Sequence, residues 1–170
     1  MRRPALLALL LAVAACDSAP PDTDAELRTD AGAYLAAITD WGVEFEAELT
    51  YTNTSDQTVY FTGCVLPESP VLEKRAGDEW IVAYSPGARL CLSAPLDVAP
   101  GESVDYTLGV AGCTGDRCGP EWLLGPAPET VPGTYRLRTS VATAVRDGLP
   151  VRSRDVVSNT FRLDVLGGAF

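Results

Sequence analysis

The chain reads as all-β, an antiparallel two-sheet sandwich of about seven to nine short strands, and three observations predict it. Apolar and polar residues alternate with period two over several stretches, and turn-forming residues separate those stretches. Beyond Leu35 no long run of period 3.6 supplies the crossover helices that a parallel fold needs. At 170 residues there is chain enough for one ordinary domain with a core of its own.

From Val43 to Tyr51 the side chains Val43, Phe45, Ala47, Leu49 and Tyr51 alternate with Glu44, Glu46, Glu48 and Thr50. A strand turns successive side chains to opposite faces, so the apolar set is expected inside and the glutamates in water. Asn53-Thr54-Ser55-Asp56-Gln57 is turn chemistry, because Asn and Asp side chains mimic backbone hydrogen bonds. The same Asn53-Thr54-Ser55 matches a glycan sequon, and turn geometry accounts for it. Thr58 to Thr62 resumes as a strand ending at Cys64. Val71 to Arg75 and Trp80 to Tyr84 flank Ala76-Gly77-Asp78-Glu79 as a hairpin, with Trp80 expected in the core. Ala99-Pro100-Gly101-Glu102 turns into Ser103 to Val110, where Val104, Tyr106, Leu108 and Val110 share a face. Pro132-Gly133 does the same before Thr134 to Thr143, with Tyr135, Leu137, Thr139 and Val141 on one side. The last strand runs from about Asn159 to Leu166, with Phe161, Leu163 and Val165 inward.

Ahead of this body stand Arg2 and Arg3, an apolar run from Leu6 to Val13 that is too short to span a bilayer, and Val13-Ala14-Ala15-Cys16. The Val-Ala-Ala-Cys order resembles the lipobox of bacterial lipoproteins, at which signal peptidase II cuts. That resemblance implies a signal peptide over residues 1–15 and acylation (palmitate) of Cys16, which then holds the folded part to the lipid bilayer. An ordinary secretory signal cut after Ala15 would leave Cys16 an idle thiol. Asp17-Ser18-Ala19-Pro20-Pro21-Asp22-Thr23-Asp24 reads as a tether, since it is rich in Pro, Ser and Asp and has no apolar period. The boundaries expected are a lipidated tether over 16–33, with Asp22, Asp24, Glu26 and Asp30 solubilising it, and the sandwich over 34–170. Asp24 to Leu35 offers a short helical period.

The chain carries 13 basic and 23 acidic residues, and loss of Arg2 and Arg3 with the signal would leave the mature charge near −12. Such a surface repels nucleic acid. Lys74 is the sole lysine and the arginines form no patch in the sequence, which argues against direct adhesion to anionic headgroups. Export places Cys64, Cys91, Cys113 and Cys118 where disulfides persist. The short loop Thr114-Gly115-Asp116-Arg117 favours Cys113 with Cys118, which leaves Cys64 with Cys91. By loop entropy the longer closure contributes on the order of 3.5 kcal/mol and the shorter about 2 kcal/mol. A zinc site would want Cys-x2-Cys spacing or histidine, and the chain has no histidine, so neither a metal nor another cofactor is expected.

The segments Leu49 to Asp56, Val98 to Ser103 and Val131 to Leu137 together resemble bacterial immunoglobulin-like β-sandwich modules. They are similar in particular to the intracellular proteinase inhibitor (BsuPI-like) type, over roughly residues 40 to 166. The resemblance implies an antiparallel immunoglobulin-like β-sandwich that recognises protein or peptide. Without histidine there is no Ser-His-Asp or Cys-His site, and no Gly-x-Ser-x-Gly elbow or phosphate loop occurs, so no enzyme is expected. The glutamates of residues 44 to 48 would stand roughly 7 Å apart along a strand and repel one another, which makes a solvated face of them rather than a cation site. Trp122, with Leu123 and Leu124, lies in the Pro- and Gly-rich stretch after Cys118. Such residues either anchor a partner or cap the open end of the sandwich. The expected function is a membrane-anchored, exported lipoprotein of the cell envelope, on the inner or the outer membrane. It acts as a non-catalytic protein-binding or structural module; the alternative is an inhibitor of an envelope protease that inserts residues 111–130 into the active site.

Overall fold

The computed structural model describes residues 25–40, 42–62, 70–85, 94–114, 123–125 and 130–166, the segment 123–125 by its backbone alone. Among these residues the chain is all-β. Its strands are β1 (Leu27–Thr29), β2 (Ala33–Thr39), β3 (Gly42–Thr52), β4 (Val59–Phe61), β5 (Val71–Ala76) and β6 (Glu79–Tyr84), followed by β7 (Leu96–Val98), β8 (Ser103–Thr114), β9 (Leu123–Gly125), β10 (Gly133–Arg146), β11 (Leu149–Val157) and β12 (Phe161–Val165). They form one curled, mixed sheet in the order β6-β5-β10-β12-β2-β3-β8-β9, with β1 beside β3, β11 beside β10, and β4 between β10 and β7.

Two long strands act as spines. Along β3, Val43, Phe45, Ala47, Leu49 and Tyr51 are buried and Glu44, Glu46 and Glu48 exposed, the alternation expected of it. Its whole length pairs with β8, from Gly42↔Cys113 to Thr52↔Ser103, and its other edge takes β2 and β1. Along β10, Tyr135, Leu137, Thr139 and Val141 are buried. One edge of β10 takes β12 and then β11, while the other takes β5 and then β4. The spines are joined by β2, whose residues Ala33–Ala36 run parallel to β12 and whose residues Ala37–Thr39 run antiparallel to β3.

The core is aromatic at its centre. Phe161 meets Tyr34 edge-on at 5.2 Å between ring centroids and stacks on Tyr135 at 6.2 Å, with Phe45 at 6.3 Å. Tyr51 and Phe61 make a second edge-to-face pair at 4.9 Å. Such geometries align the positive ring edge with a negative ring face.

Several turns form as their residues dictate. The Asn53 side chain is fully buried, accepts from the Ser55 amide at 3.1 Å and donates to the carbonyls of Gln57 and Val98. Its carboxamide thereby closes the turn. Glu102 donates its amide to Ala99 at 3.0 Å, closing the Pro100-Gly101 turn, and Ala76 pairs with Glu79 across the expected hairpin.

Four expectations need correction. The sheet is mixed rather than antiparallel, because β2 enters beside β12 in the same direction and β9 runs parallel to β8. Residues 27–33 belong to the fold, not to a tether ending at 33, and the described part of the stretch expected to start a helix, residues 25–35, holds strands instead. Leu27 is fully buried and β1 pairs with β3 from Leu27↔Tyr51 to Thr29↔Leu49. Glu26 and Asp30 are correspondingly engaged: Glu26 binds Arg154, and Asp30 accepts from Tyr34 and from the Glu48 amide. Finally, residues 149–157 form a strand that no alternation announced, reached through Asp147 and Gly148 at positive φ of 54° and 77°. Both central residues of that two-residue hairpin turn need this backbone region, which Asp tolerates and Gly enters freely.

A buried polar seam fixes how the chain enters. Thr29 donates its amide to Asn159 Oδ1 at 2.9 Å, and Asn159 Nδ2 returns a bond to Thr29 Oγ1 at 2.8 Å. Ser158 exchanges bonds with the Leu137 backbone, accepting at its hydroxyl and donating its amide to the carbonyl. The first strand is thus stapled to the β11–β12 connection.

Candidate interaction surface

The hairpin of β5 and β6 forms one end of the sheet, and β9 at the other end lies alongside β6. Curling has brought the two ends together. The run Trp80-Ile81-Val82-Ala83-Tyr84 is apolar at every position, and a register shift between Leu72↔Tyr84 and Glu73↔Val82 breaks its alternation, so that neighbouring residues share one environment. Ala83 and Tyr84 go into the core, while Ile81 and Val82 remain 48% and 56% exposed. Contrary to expectation Trp80 stays out of the core: it is half-buried, with the Arg136 guanidinium 4.4 Å above its ring.

Behind this edge a ladder of charges crosses the sheet. Glu73 is buried, accepting from Arg136 Nε and from Arg138 Nε at 2.7 Å each, and Arg138 reaches on to Asp155 at 3.5 Å. Burial by itself would raise the Glu73 carboxyl, and the hydrogen bonds from Arg138 and Arg136 outweigh it, holding the carboxyl below its ordinary 4.5. A carboxylate with a depressed folded pKa stabilises the fold above its unfolded pKa and loses that contribution as pH falls through the folded value. Glu73→Gln is therefore expected to lower stability at neutral pH by about 2 kcal/mol, a figure discounted for the partial exposure of both arginines. The gap to wild type should close as pH is taken well below 4.5. Thermal melts of both proteins across that range check it, and a gap that widens in acid contradicts the assignment.

Among the residues singled out by sequence, Leu123 and Leu124 fall on β9, whose backbone pairs with β8 through Cys113↔Leu123 and Thr114↔Gly125. Trp122 lies outside the described residues. Cys113 lies on β8, opposite Gly42 of β3. Cys16, Cys64, Cys91 and Cys118, and with them the expected pairings and acylation, also lie outside the described residues. The glutamates of β3 stand in water, Glu48 accepting from Thr107 at 2.8 Å. No group of three His, Cys, Asp or Glu side chains able to hold a metal occurs among the described residues.

Sequence reasoning missed Ile81 and Val82 as surface residues. The unbroken apolar run was the available signal, since an edge strand with no alternation must leave part of it outside. Comparison of the chain with family models, with curated proteins and with solved structures finds no match.

Proposed function

We propose that the chain is a membrane-anchored lipoprotein of the cell envelope whose exported part, an immunoglobulin-like β-sandwich, binds a protein or peptide without catalysis. The observation that carries the binding role is the exposed apolar edge of β6, Ile81 and Val82 beside half-buried Trp80, with β9 and its Leu123-Leu124 stretch alongside. Exposed strand edges with apolar side chains pair readily with an added strand. The sandwich reading is supported by β2, which passes from β12 to β3 in mid-strand, and by Tyr135, whose hydroxyl near the start of β10 donates to the Val131 carbonyl. That bond has the form of a tyrosine corner. The anchor reading rests on Val13-Ala14-Ala15-Cys16, followed some ten residues later by the first core strand.

Capture from envelope extracts by the purified chain tests the binding role, read together with melting. Val82→Glu and Trp122→Ala are each expected to weaken capture by roughly 2 kcal/mol while the melting temperature moves little. A Trp122→Ala variant destabilised by about 3 kcal/mol would make Trp122 a core cap and retire it as an anchor. Inhibition of one protease in a panel, lost in the same variants, would establish the inhibitor reading instead.

A further inference from the structure

We propose that the free end of the β10–β11 ribbon touches the lipid bilayer to which Cys16 tethers the chain; this rests on the anchor reading above. Three features of the structure meet at that end. The first is direction. Leu27 bridges Ser158 in the parallel sense, so the chain traced backward from Leu27 runs toward the start of β11. Glu26 agrees with this, since its carboxylate reaches past Ser158 to grip Arg154 with both oxygens. The residues just before β1 therefore lead toward the ribbon's turn.

The second feature is the ribbon itself. Cross-sheet pairing of β10 ends at Ala142↔Tyr60, and beyond it Ala144–Arg146 and Leu149–Arg152 pair only with each other among the described strands. All of residues 149–153 are exposed, with Leu149 and Val151 at 68% and 59%. Four residues of free strand reach roughly 13 Å, more than the roughly 5–10 Å by which apolar groups settle into a headgroup boundary. Arg146 and Arg152 flank these apolar residues, and neither has an ion-pair partner among the described residues. Asp147 is the one carboxylate at the turn. In a chain of net charge −10 this end therefore holds two guanidiniums, one on each strand of the hairpin, without an ion-pair partner among the described residues, and lipid phosphate is their complement.

The third feature is reach. The residues from Cys16 to Glu26 span at most about 35 Å fully extended and roughly 18 Å as an average coil. From the level of Glu26 to Leu149 the ribbon covers roughly 25 Å. Among the described residues, a body held on that tether brings the ribbon's end to the headgroups first.

The test uses the full-length lipidated chain, purified and reconstituted into vesicles of phosphatidylethanolamine and phosphatidylglycerol. Leu149→Trp adds a fluorophore at an exposed position, and Leu35→Trp adds one on β2, beside the strand that pairs with the opposite end of β10. Acyl-brominated lipid is expected to quench the added emission at position 149 by about twofold and to leave that at position 35 unchanged. Val151→Trp should repeat the first result if Leu149→Trp folds poorly. Acyl label on Cys16 with no quenching at 149 or 151 overturns the ribbon proposal and leaves the anchor reading intact. Equal quenching at 35 and 149 overturns it too, since the body would then lie flat. A blue shift at 149 only on addition of envelope proteins overturns it in favour of a protein partner. Absence of acyl label on Cys16 removes the anchor reading, and the proposal with it.

Discussion

Phe161→Ala is expected to destabilise the fold by about 4 kcal/mol, the largest loss of any single truncation considered. Phe161 is 2% exposed, and its ring is the hub on which Tyr34 of β2, Phe45 of β3 and Tyr135 of β10 converge. Removing it costs the transfer free energy of a buried aromatic and leaves a cavity bounded by three rings whose strands are each pinned by ladders of their own. Those walls have little freedom to collapse. The melting temperature should fall by roughly 10 °C or more, and Phe161→Leu, which keeps most of the volume, should cost only about 1.5 kcal/mol. A loss under about 1 kcal/mol would mean that the aromatic centre is not what joins the two spines.

Gly42→Ala should be nearly as damaging, by about 3 kcal/mol, although it adds a single methyl at a sheet position. A Cβ there would sit 2.2 Å from the Gly112 carbonyl oxygen and 2.8 Å from Cys113 Cα, both backbone atoms of the partner strand. Neither can swing aside as a flexible side chain would. Relief requires β3 and β8 to separate at the very pair, Gly42↔Cys113, where β9 is also attached to Cys113. The variant should lose amide protection first over residues 42–44 and 111–113 by hydrogen exchange. Uniform loss across the sheet, or none, would contradict this account.

Where a strand lies with one face on the core and one in water, its residues announce it. Alternation in β3, β8, β10 and β12 and the turns at Asn53 and Pro100-Gly101 were all legible for that reason. β11 was not, because both faces of its first half are exposed and no alternation is selected there. The Asp147-Gly148 pair was the usable signal. β2 was misread because Ala33, Ala36 and Ala37 favour helix locally, whereas β12 recruits Ala33–Ala36 into the sheet from far along the chain. The same distance hid the mixed sheet: a parallel pairing between the first and last parts of the chain leaves no local trace. The charge ladder around Glu73 and the exposed edge of β6 depend on which strands become neighbours, so residue types alone could not place them.

The parallel pairing of β2 with β12 also decides how the molecule answers a pull. Because Ala33–Ala36 and Arg162–Val165 run the same way, a force drawing the amino-terminal end of β2 away from the carboxyl-terminal end of β12 acts along the ladder. Its hydrogen bonds then share the strain and must yield together, where an antiparallel pair gripped at one end would unzip bond by bond. A pull between those two strand ends is therefore resisted in that one direction more than in any that peels the ladder from one end.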